Sequence, residues 1–207
     1  IRKIEEQNPD IILIELGGTV GDIEGLIFLE SIRQLAFEVG RNNSMFIHLT
    51  YVPFIKAASE VKTKPSQQSV AKLREIGIMP DVLICRTEVD LEEEHLNKLS
   101  LFCNIPRESV IVEKDVGISI YEIPLILFRE GLDQIIVDHF QLKQTLCNLK
   151  DWEKLIDNIK NLDDEISIGV VGKYSELQDA YKSIDEALQH SGYALGKKIL
   201  IQKVAAE

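Results

Sequence analysis

Basic residues are scarce in this chain of 207 residues. Asp and Glu number 34 against 23 Lys and Arg, so the formal net charge is −11. This deficit argues against a nucleic-acid-binding protein, because neutralising a phosphate backbone takes clustered lysines and arginines. It leaves room for a local basic pocket that holds one nucleotide. We therefore expect no nucleic acid as a partner.

Cysteines and long apolar runs are also few. Cys85, Cys103 and Cys147 are an odd number without the close spacing of a zinc site. Reduced thiols of a cytoplasmic protein are the expected state. No apolar run approaches the roughly 20 residues that cross a bilayer, and the polar N-terminus is unlike a signal peptide. We expect a cytoplasmic location and no membrane partner.

Common catalytic signatures are missing from the sequence. No G-x-x-x-x-G-K-[ST] run occurs, and the segment GYALGKK at 192–198 is one residue too short and ends in Lys. No cysteine lies in a G-x-C-x-G elbow, and no H-E-x-x-H is present. The residues alone thus supply neither a phosphate loop nor a nucleophile.

An apolar run that ends on an acid and breaks into glycines is the main positive signal. Residues 11–14 predict a strand buried on both faces of a parallel sheet, with Glu15 at its carboxyl end. Asp22 and Glu24 follow in the glycine-rich turn. Ligands of open α/β sheets bind beyond the carboxyl ends of strands, and carboxylates suit Mg²⁺ that arrives with phosphates. Alternatively, the glycines only allow a tight turn and the two acids cap the next helix.

A second signal is a pair of lysines before a helix. Lys62 and Lys64 precede a helix that Ser66 could cap and that runs to Gly77. A helix N-terminus beside two ammonium groups suits an anion, although this segment taken alone favours a solvated charged loop, where lysines usually lie. The next predicted strand ends on Arg86, as the first ends on Glu15. A charged residue at the end of each strand favours a ligand-binding edge of the sheet.

Strands and helices alternate along most of the chain. After residues 11–14, the pattern predicts a helix at 24–40, a strand at 45–52, a helix at 66–77, a strand at 81–86, a helix at 91–103, a strand at 110–112 and helices at 120–130 and 131–140. Four such βα steps predict a doubly wound parallel α/β sheet. His48 is interpreted as a core histidine rather than a ligand, since no metal-type partner is near it in sequence.

The composition changes after residue 140. Asn, Lys and Asp dominate around one short helix, and a fresh apolar strand, a helix and another strand follow. We predict one domain over residues 1–142, a linker over 143–166 and a second, truncated domain over 167–207. The chain opens on Ile1 instead of Met, which suggests a piece of a longer protein.

Four stretches of the chain together resemble CTP synthases. They are ELGGTVGDIEGLIFLESIRQ at 15–34, HLTYVPFIKAASEVKTKPSQQSV at 48–70, SLFCN at 100–104 and VGKYSELQDAYKSIDEAL at 171–188. The resemblance implies an incomplete amidoligase domain of the P-loop NTPase type, followed by the first βαβ unit of a class I glutamine amidotransferase domain. It also implies ATP-dependent amination of UTP to CTP with glutamine-derived ammonia.

The resemblance assigns roles to particular residues. Mg²⁺ with ATP would be held by Glu15, and the pyrimidine nucleotide and the inhibitor CTP by Asp22, Ile23 and Glu24. UTP would contact Lys62, Thr63, Lys64, Pro65, Ser66, Gln67 and Lys98, and ATP would contact Arg86, Lys114, Asp115 and Val116. After Val116 this chain reads GISIY where the family usually reads DSIY. Glutamine, GTP and a homotetramer are further implied partners.

The resemblance also implies what would lie outside this chain. The phosphate loop and another acidic Mg²⁺ ligand would precede Ile1, and the glutaminase Cys, His and Glu would follow Glu207. The piece by itself is therefore expected to be inactive. The alternative interpretation is a truncated, non-catalytic nucleotide-binding or assembly module.

Overall fold

The computed structural model describes residues 2–143, 147–174 and 177–206. The chain divides into two compact units. Unit 1 comprises residues 1–115 and 130–143, and unit 2 comprises residues 116–129 and 144–207. Among the described residues, no helix is both long and apolar enough to span a membrane. The domain boundaries predicted from the sequence, at 142 and 166, stay predictions.

Helices and strands alternate through both units. In chain order they are α1 (Arg2–Glu5), α2 (Leu26–Val39), β1 (Ile47–Tyr51), β2 (Phe54–Ile55), β3 (Glu60–Val61), α3 (Lys64–Ile76), β4 (Val82–Thr87), α4 (Glu93–Cys103), β5 (Val110–Lys114), α5 (Ile123–Arg129), α6 (Leu132–His139), α7 (Lys150–Lys160), β6 (Glu165–Gly172), α8 (Lys182–Leu195) and β7 (Lys198–Ala205).

Unit 1 is built on a parallel sheet of order β1-β4-β5. The central strand β4 is buried along most of its length, as its apolar sequence predicts. Helices α3 and α4 pack against each other beside the sheet. The core consists of Val52, Val70, Leu83, Cys85, Leu96, Leu99, Cys103, Ile105 and Val110. The predicted parallel α/β arrangement is therefore confirmed.

Helix α2 forms a second, smaller core with the end of α3. Its Leu29 is buried with Leu73 and Ile78. The helix stops at Gly40, whose φ of 83° lies in the left-handed region that favours glycine. The sequence prediction of a helix that ends at this glycine is confirmed.

The prediction of a strand over residues 11–14 is wrong. This segment is irregular, and 92% of the Leu13 surface is exposed. Among the described residues, β1 pairs only with β4. A strand needs a backbone partner for its N–H and C=O groups, and an apolar run does not supply one. The loop that follows instead packs Leu16 and Val20 onto the Leu29 core.

Unit 2 contains the predicted strand, helix and strand. Strands β6 and β7 pair in parallel from Glu165 opposite Lys198 to Gly172 opposite Ala205, and α8 connects them. Helix α7 packs near α8 and buries Ile156, while Ile199 is buried in β7.

Candidate functional site

The carboxyl ends of β1, β4 and β5 form one edge of the parallel sheet. The register places Tyr51 beside Arg86, and Arg86 beside Glu113. Such an edge is where open α/β sheets bind ligands. It carries the segment from Lys62 to Gln67 after β1, Arg86 on β4, and Lys114 and Asp115 at the end of β5.

Backbone and hydroxyl hydrogen bonds hold the segment after β1 against the sheet. The β2-β3 hairpin turns the chain back, and the Lys62 N–H donates to the Pro53 carbonyl at 2.9 Å. The Ser66 hydroxyl donates to the Tyr51 carbonyl at 3.3 Å, and the Thr50 hydroxyl donates to Ser66 Oγ at 3.1 Å. Ser66 is fully buried. The start of α3 is thus fixed at the end of β1.

The N-terminus of α3 is left uncapped by side chains. Thr63 is the N-cap residue, but its Oγ1 accepts a hydrogen bond from Gln67 Nε2 at 3.0 Å instead of capping. Pro65 has no N–H, and the N–H groups of Lys64 and Ser66 have no partner in the described part of the chain. The prediction that Ser66 caps this helix is wrong, because Ser66 is its third residue. Ser66 is fully buried whereas Lys64 is exposed, so it is the unpaired N–H of Lys64 that favours an anion here.

Three lysines lie near this helix terminus. Lys62 Nζ pairs with Glu60 Oε2 at 2.6 Å. The hydrogen bond from Lys62 lowers the pKa of Glu60, and the charge of Lys98 adds to that lowering, so Lys98 lies within electrostatic range of the same carboxylate. Lys64 is exposed and has no ion-pair partner among the described residues. The segment predicted to bind UTP is therefore brought together with Lys98.

A second group of charges covers the ends of β4 and β5. Arg86 Nε donates to Asp115 Oδ1 at 2.6 Å, and this hydrogen bond raises the pKa of Arg86. Lys114 Nζ lies 2.8 Å from both carboxylate oxygens of Asp90. Val116 follows Asp115 directly in the chain. The structure thus joins Arg86, Lys114 and Asp115 at one edge, as the sequence predicts.

Sequence reasoning missed several residues of this edge. Glu113 is buried in β5 opposite Arg86, and burial raises the pKa of its carboxyl. The Tyr51 hydroxyl donates to Glu88 Oε1 at 2.7 Å. Glu113 could have been found from the sequence, because it is an acidic residue that directly follows the apolar residues of VIVEK. Glu88 and Asp90 could have been found because they directly follow the end of β4.

The glycine-rich loop lies elsewhere in unit 1. Glu15 is exposed, the Asp22 carboxylate accepts a hydrogen bond from the Thr19 N–H at 3.1 Å, and Glu24 belongs to a short 3-10 turn. Ile23 is 83% exposed. A cavity of about 160 Å³ separates the loop from residues at the start of β1 and the end of α3, lined by Gly17, Gly18, Val20, Met45, Phe46, Ile47, Leu73 and Ile78.

These contacts place the loop toward the amino end of the sheet. Gly21 lies against Lys72, eight residues along α3 from Lys64, and eight helical residues span about 12 Å. In the described residues, no hydrogen bond or ion pair joins Glu15, Asp22 or Glu24 to the carboxyl edge. The structure does not unite the two sets of predicted site residues.

The described part of the chain does not test the predicted magnesium role of Glu15. Within residues 2–143, 147–174 and 177–206, no group of three or more Asp, Glu, His or Cys side chains could hold a metal ion. Mg²⁺ in nucleotide sites takes one or two carboxylates together with phosphates. Glu15 is one carboxylate at a distance from the candidate anion site, so its role as a Mg²⁺ ligand stays a prediction.

Comparison with known proteins gives consistent matches. The family described as "CTP synthase N-terminus" matches residues 1–142. The CTP synthase of Protochlamydia amoebophila is 52% identical over 203 residues, which are 98% of this chain and 37% of that protein. Those of Aquifex aeolicus and Fibrobacter succinogenes are 51% and 50% identical, over 96% and 100% of this chain. The chain spans about 37% of the length of these relatives.

Proposed function

The chain belongs to the CTP synthase family, and from this premise we propose that its carboxyl edge binds the nucleotides for ATP-dependent amination of UTP to CTP. The supporting observation is the uncapped N-terminus of α3, which carries Lys64 next to Lys62, while the charge of Lys98 acts on Glu60, the ion-pair partner of Lys62. Since the chain spans about 37% of its relatives, the reaction of the whole protein is part of the proposal.

UTP is the nucleotide assigned to this helix terminus. Its phosphates accept a hydrogen bond from the N–H group of Lys64, and the three ammonium groups neutralise their charge. Lys62 exchanges its exposed Glu60 partner for phosphate, which costs little because exposed ion pairs are weak. The buried Ser66 and Thr63 keep the terminus in place.

ATP is assigned to the neighbouring strand ends. Arg86, Lys114 and Asp115 lie there, and Asp115 is fixed by its N–H bond to the Thr87 carbonyl at 2.8 Å. The family resemblance adds Val116, the next residue in the chain. In this proposal the two nucleotides lie beside each other, as transfer of the ATP γ-phosphoryl group to O4 of UTP requires. Ammonia then displaces that phosphate. The contribution of this chain is positioning and charge.

The remaining expectations belong to the same proposal. Unit 1 is part of a doubly wound amidoligase domain of the P-loop NTPase type, and β6, α8 and β7 begin a glutamine amidotransferase domain. Glutamine as ammonia source, GTP, inhibition by CTP, Mg²⁺ with ATP, a homotetramer and a cytoplasmic location are family expectations for the intact enzyme.

Titration calorimetry of the chain with UTP tests the proposal. Lys64→Ala should weaken UTP binding about tenfold, the value of one charged hydrogen bond. Lys72→Ala is the matched control, since it removes an exposed lysine from the same helix two turns away. Equal UTP affinity in the two variants would contradict the assignment, as would a Lys64→Ala defect confined to ATP.

One observation favours the non-catalytic alternative for this chain alone. Glu15 and Asp22 lie away from the carboxyl edge, so nucleotides could bind there without the acids expected for catalysis. Incubation of the chain with ATP, UTP and ammonium separates the two functions. UTP binding without CTP formation identifies a binding module, and CTP formation identifies a catalytic unit.

A further inference from the structure

Unit 2 contains a cleft that the proposed function does not use. It has a volume of about 480 Å³ and lies between α7, the end of α8 and the 3-10 turn at Ile120–Glu122. This volume is within the range of small-molecule sites, about 300 to 1,000 Å³. Its walls differ in character, one being aromatic and the other polar.

The aromatic wall is held rigidly. Tyr121 forms a short hydrogen bond with His190 Nε2, and its carbonyl accepts a hydrogen bond from Trp152 Nε1. The Trp152 ring packs edge-on against Tyr121 with centroids 6.1 Å apart. Ser119 Oγ accepts the Tyr121 N–H at 3.2 Å. A wall fixed in this way loses little conformational entropy when a ligand lies on it.

The wall continues along α8. The rings of Tyr121 and His190 lie 5.6 Å apart, and those of His190 and Tyr193 lie 6.2 Å apart. Burial and the charge of Glu186 raise the pKa of Tyr193, so its phenol stays protonated. The planes of neighbouring rings are inclined by 54° and 43°, so a flat π system can stack on one ring while the others contact its edge.

The polar wall is one face of α7. Asp151, Lys154 and Asn158 are spaced at i, i+3 and i+7, which puts them on the same side of the helix. Asp151 accepts hydrogen bonds, Lys154 donates them, and Asn158 does both. Lys154 pairs with Asp151 at 2.9 Å, and both side chains are mostly exposed. The ligand edge that meets this face must therefore carry both donors and acceptors.

The charges around the cleft limit the ligand further. The cleft is lined by one carboxylate, Asp151, and one ammonium group, Lys154, and a second carboxylate, that of Glu186, lies 3.7 Å from His190. This balance disfavours a polyphosphate chain. We propose that the cleft binds a neutral heteroaromatic molecule of nucleobase or nucleoside size, which stacks on one ring of the Tyr121–His190–Tyr193 wall and is hydrogen-bonded to α7. The inference does not rest on the proposed function.

Trp152 provides the measurement. It is the single tryptophan of the chain and contacts the aromatic wall, so its emission reports on the cleft. The 207-residue chain is titrated with adenosine and with uridine, excited at the red edge where nucleosides absorb little. We expect saturable quenching by at least one of them. Absence of saturable quenching by both would overturn the proposal.

Variants on α7 give the specific test. Asp151→Ala and Asn158→Ala should each weaken the binding, by about tenfold where a charged hydrogen bond is lost. Glu153→Ala is the control, because it removes an acid from the same first helical turn on the other side. Quenching that is unchanged in both cleft variants overturns the site. Tighter binding of adenosine monophosphate than of adenosine overturns the neutral class of ligand.

Discussion

The three cysteine thiols of the chain differ in how deeply they are buried. Burial raises the pKa of Cys85 to about 12 and that of Cys103 to about 11, whereas Cys147 is exposed. Because the thiolate is the reactive form, we predict that a disulfide reagent at pH 8 rapidly modifies Cys147 alone. Guanidinium chloride should release all three thiols. Rapid reaction of a second thiol in the folded chain would contradict this prediction.

The ionisation of Glu113 lowers the stability of the fold as pH rises, which is the opposite of the usual effect of a carboxylate. Burial raises the folded pKa of Glu113 above the ordinary 4.5. Above pH 4.5 the folded state therefore retains more protons than the unfolded state, and the free energy of unfolding falls as pH rises through the folded pKa. We predict that Glu113→Gln raises the melting temperature more at pH 7 than at pH 4. The exposed Glu108→Gln is the control, and an equal gain at both pH values would refute the linkage.

Gly192 fixes the distance between α8 and β7. It is buried in the helix, and a Cβ there would collide with the Lys197 carbonyl and the Ile199 side chain. We predict that Gly192→Ala destabilises unit 2 by about 1–3 kcal/mol, the usual cost of overpacking. Gly169→Ala in β6 should cost far less, because a Cβ there meets nothing within 4 Å. Chemical unfolding followed by Trp152 fluorescence compares the two.

Elements with strong local signals were predictable from the sequence. Helical spacing and terminal glycines identified α2 and α3, and an apolar run identified β4, since these patterns depend only on residues nearby. The β2-β3 hairpin was missed because two-residue strands show no periodicity. The strand over residues 11–14 failed for a different reason: apolar character predicts burial, whereas the hydrogen-bonding neighbour is set by distant parts of the chain.

The residues of the candidate site also differ in whether the sequence predicts their placement. Arg86, Lys114 and Asp115 follow two paired parallel strands, so their meeting at one edge could be predicted from strand ends alone. The prediction that Ser66 caps α3 was wrong because the helix begins at Lys64, which puts Thr63 at the N-cap position three residues before Ser66. The placement of Glu15 depends on a loop packed by Leu16 and Val20, contacts that no spacing in the sequence reveals.

The two units differ in how much apolar surface they bury. Of the buried apolar side chains described, Ile156 and Ile199 belong to unit 2, and the others belong to unit 1. A two-stranded sheet with so small a core is marginal without further support. We predict that amide hydrogens of β6 exchange faster than those of β4 by native-state hydrogen exchange, because local opening costs less there.

Limited proteolysis gives an independent check of the same difference. Unit 2 should be digested while a fragment that contains β1, β4 and β5 persists. Equal protection of Ile168 and Leu83 would show that β6 and β7 are stable as they stand. A single unfolding transition seen by both Trp152 fluorescence and circular dichroism would lead to the same conclusion.

Strand β1 also bears on how the chain behaves at high concentration. It has one partner among the described strands, and its outer residues Ile47, Leu49 and Tyr51 are 42–60% exposed. Such an edge can template pairing with another copy. Collisions are opposed by the net charge of −11, a repulsion that 0.15 M salt confines to about 8 Å. Precipitation should therefore accelerate with salt as well as with concentration, and dilute, low-salt buffer should slow it.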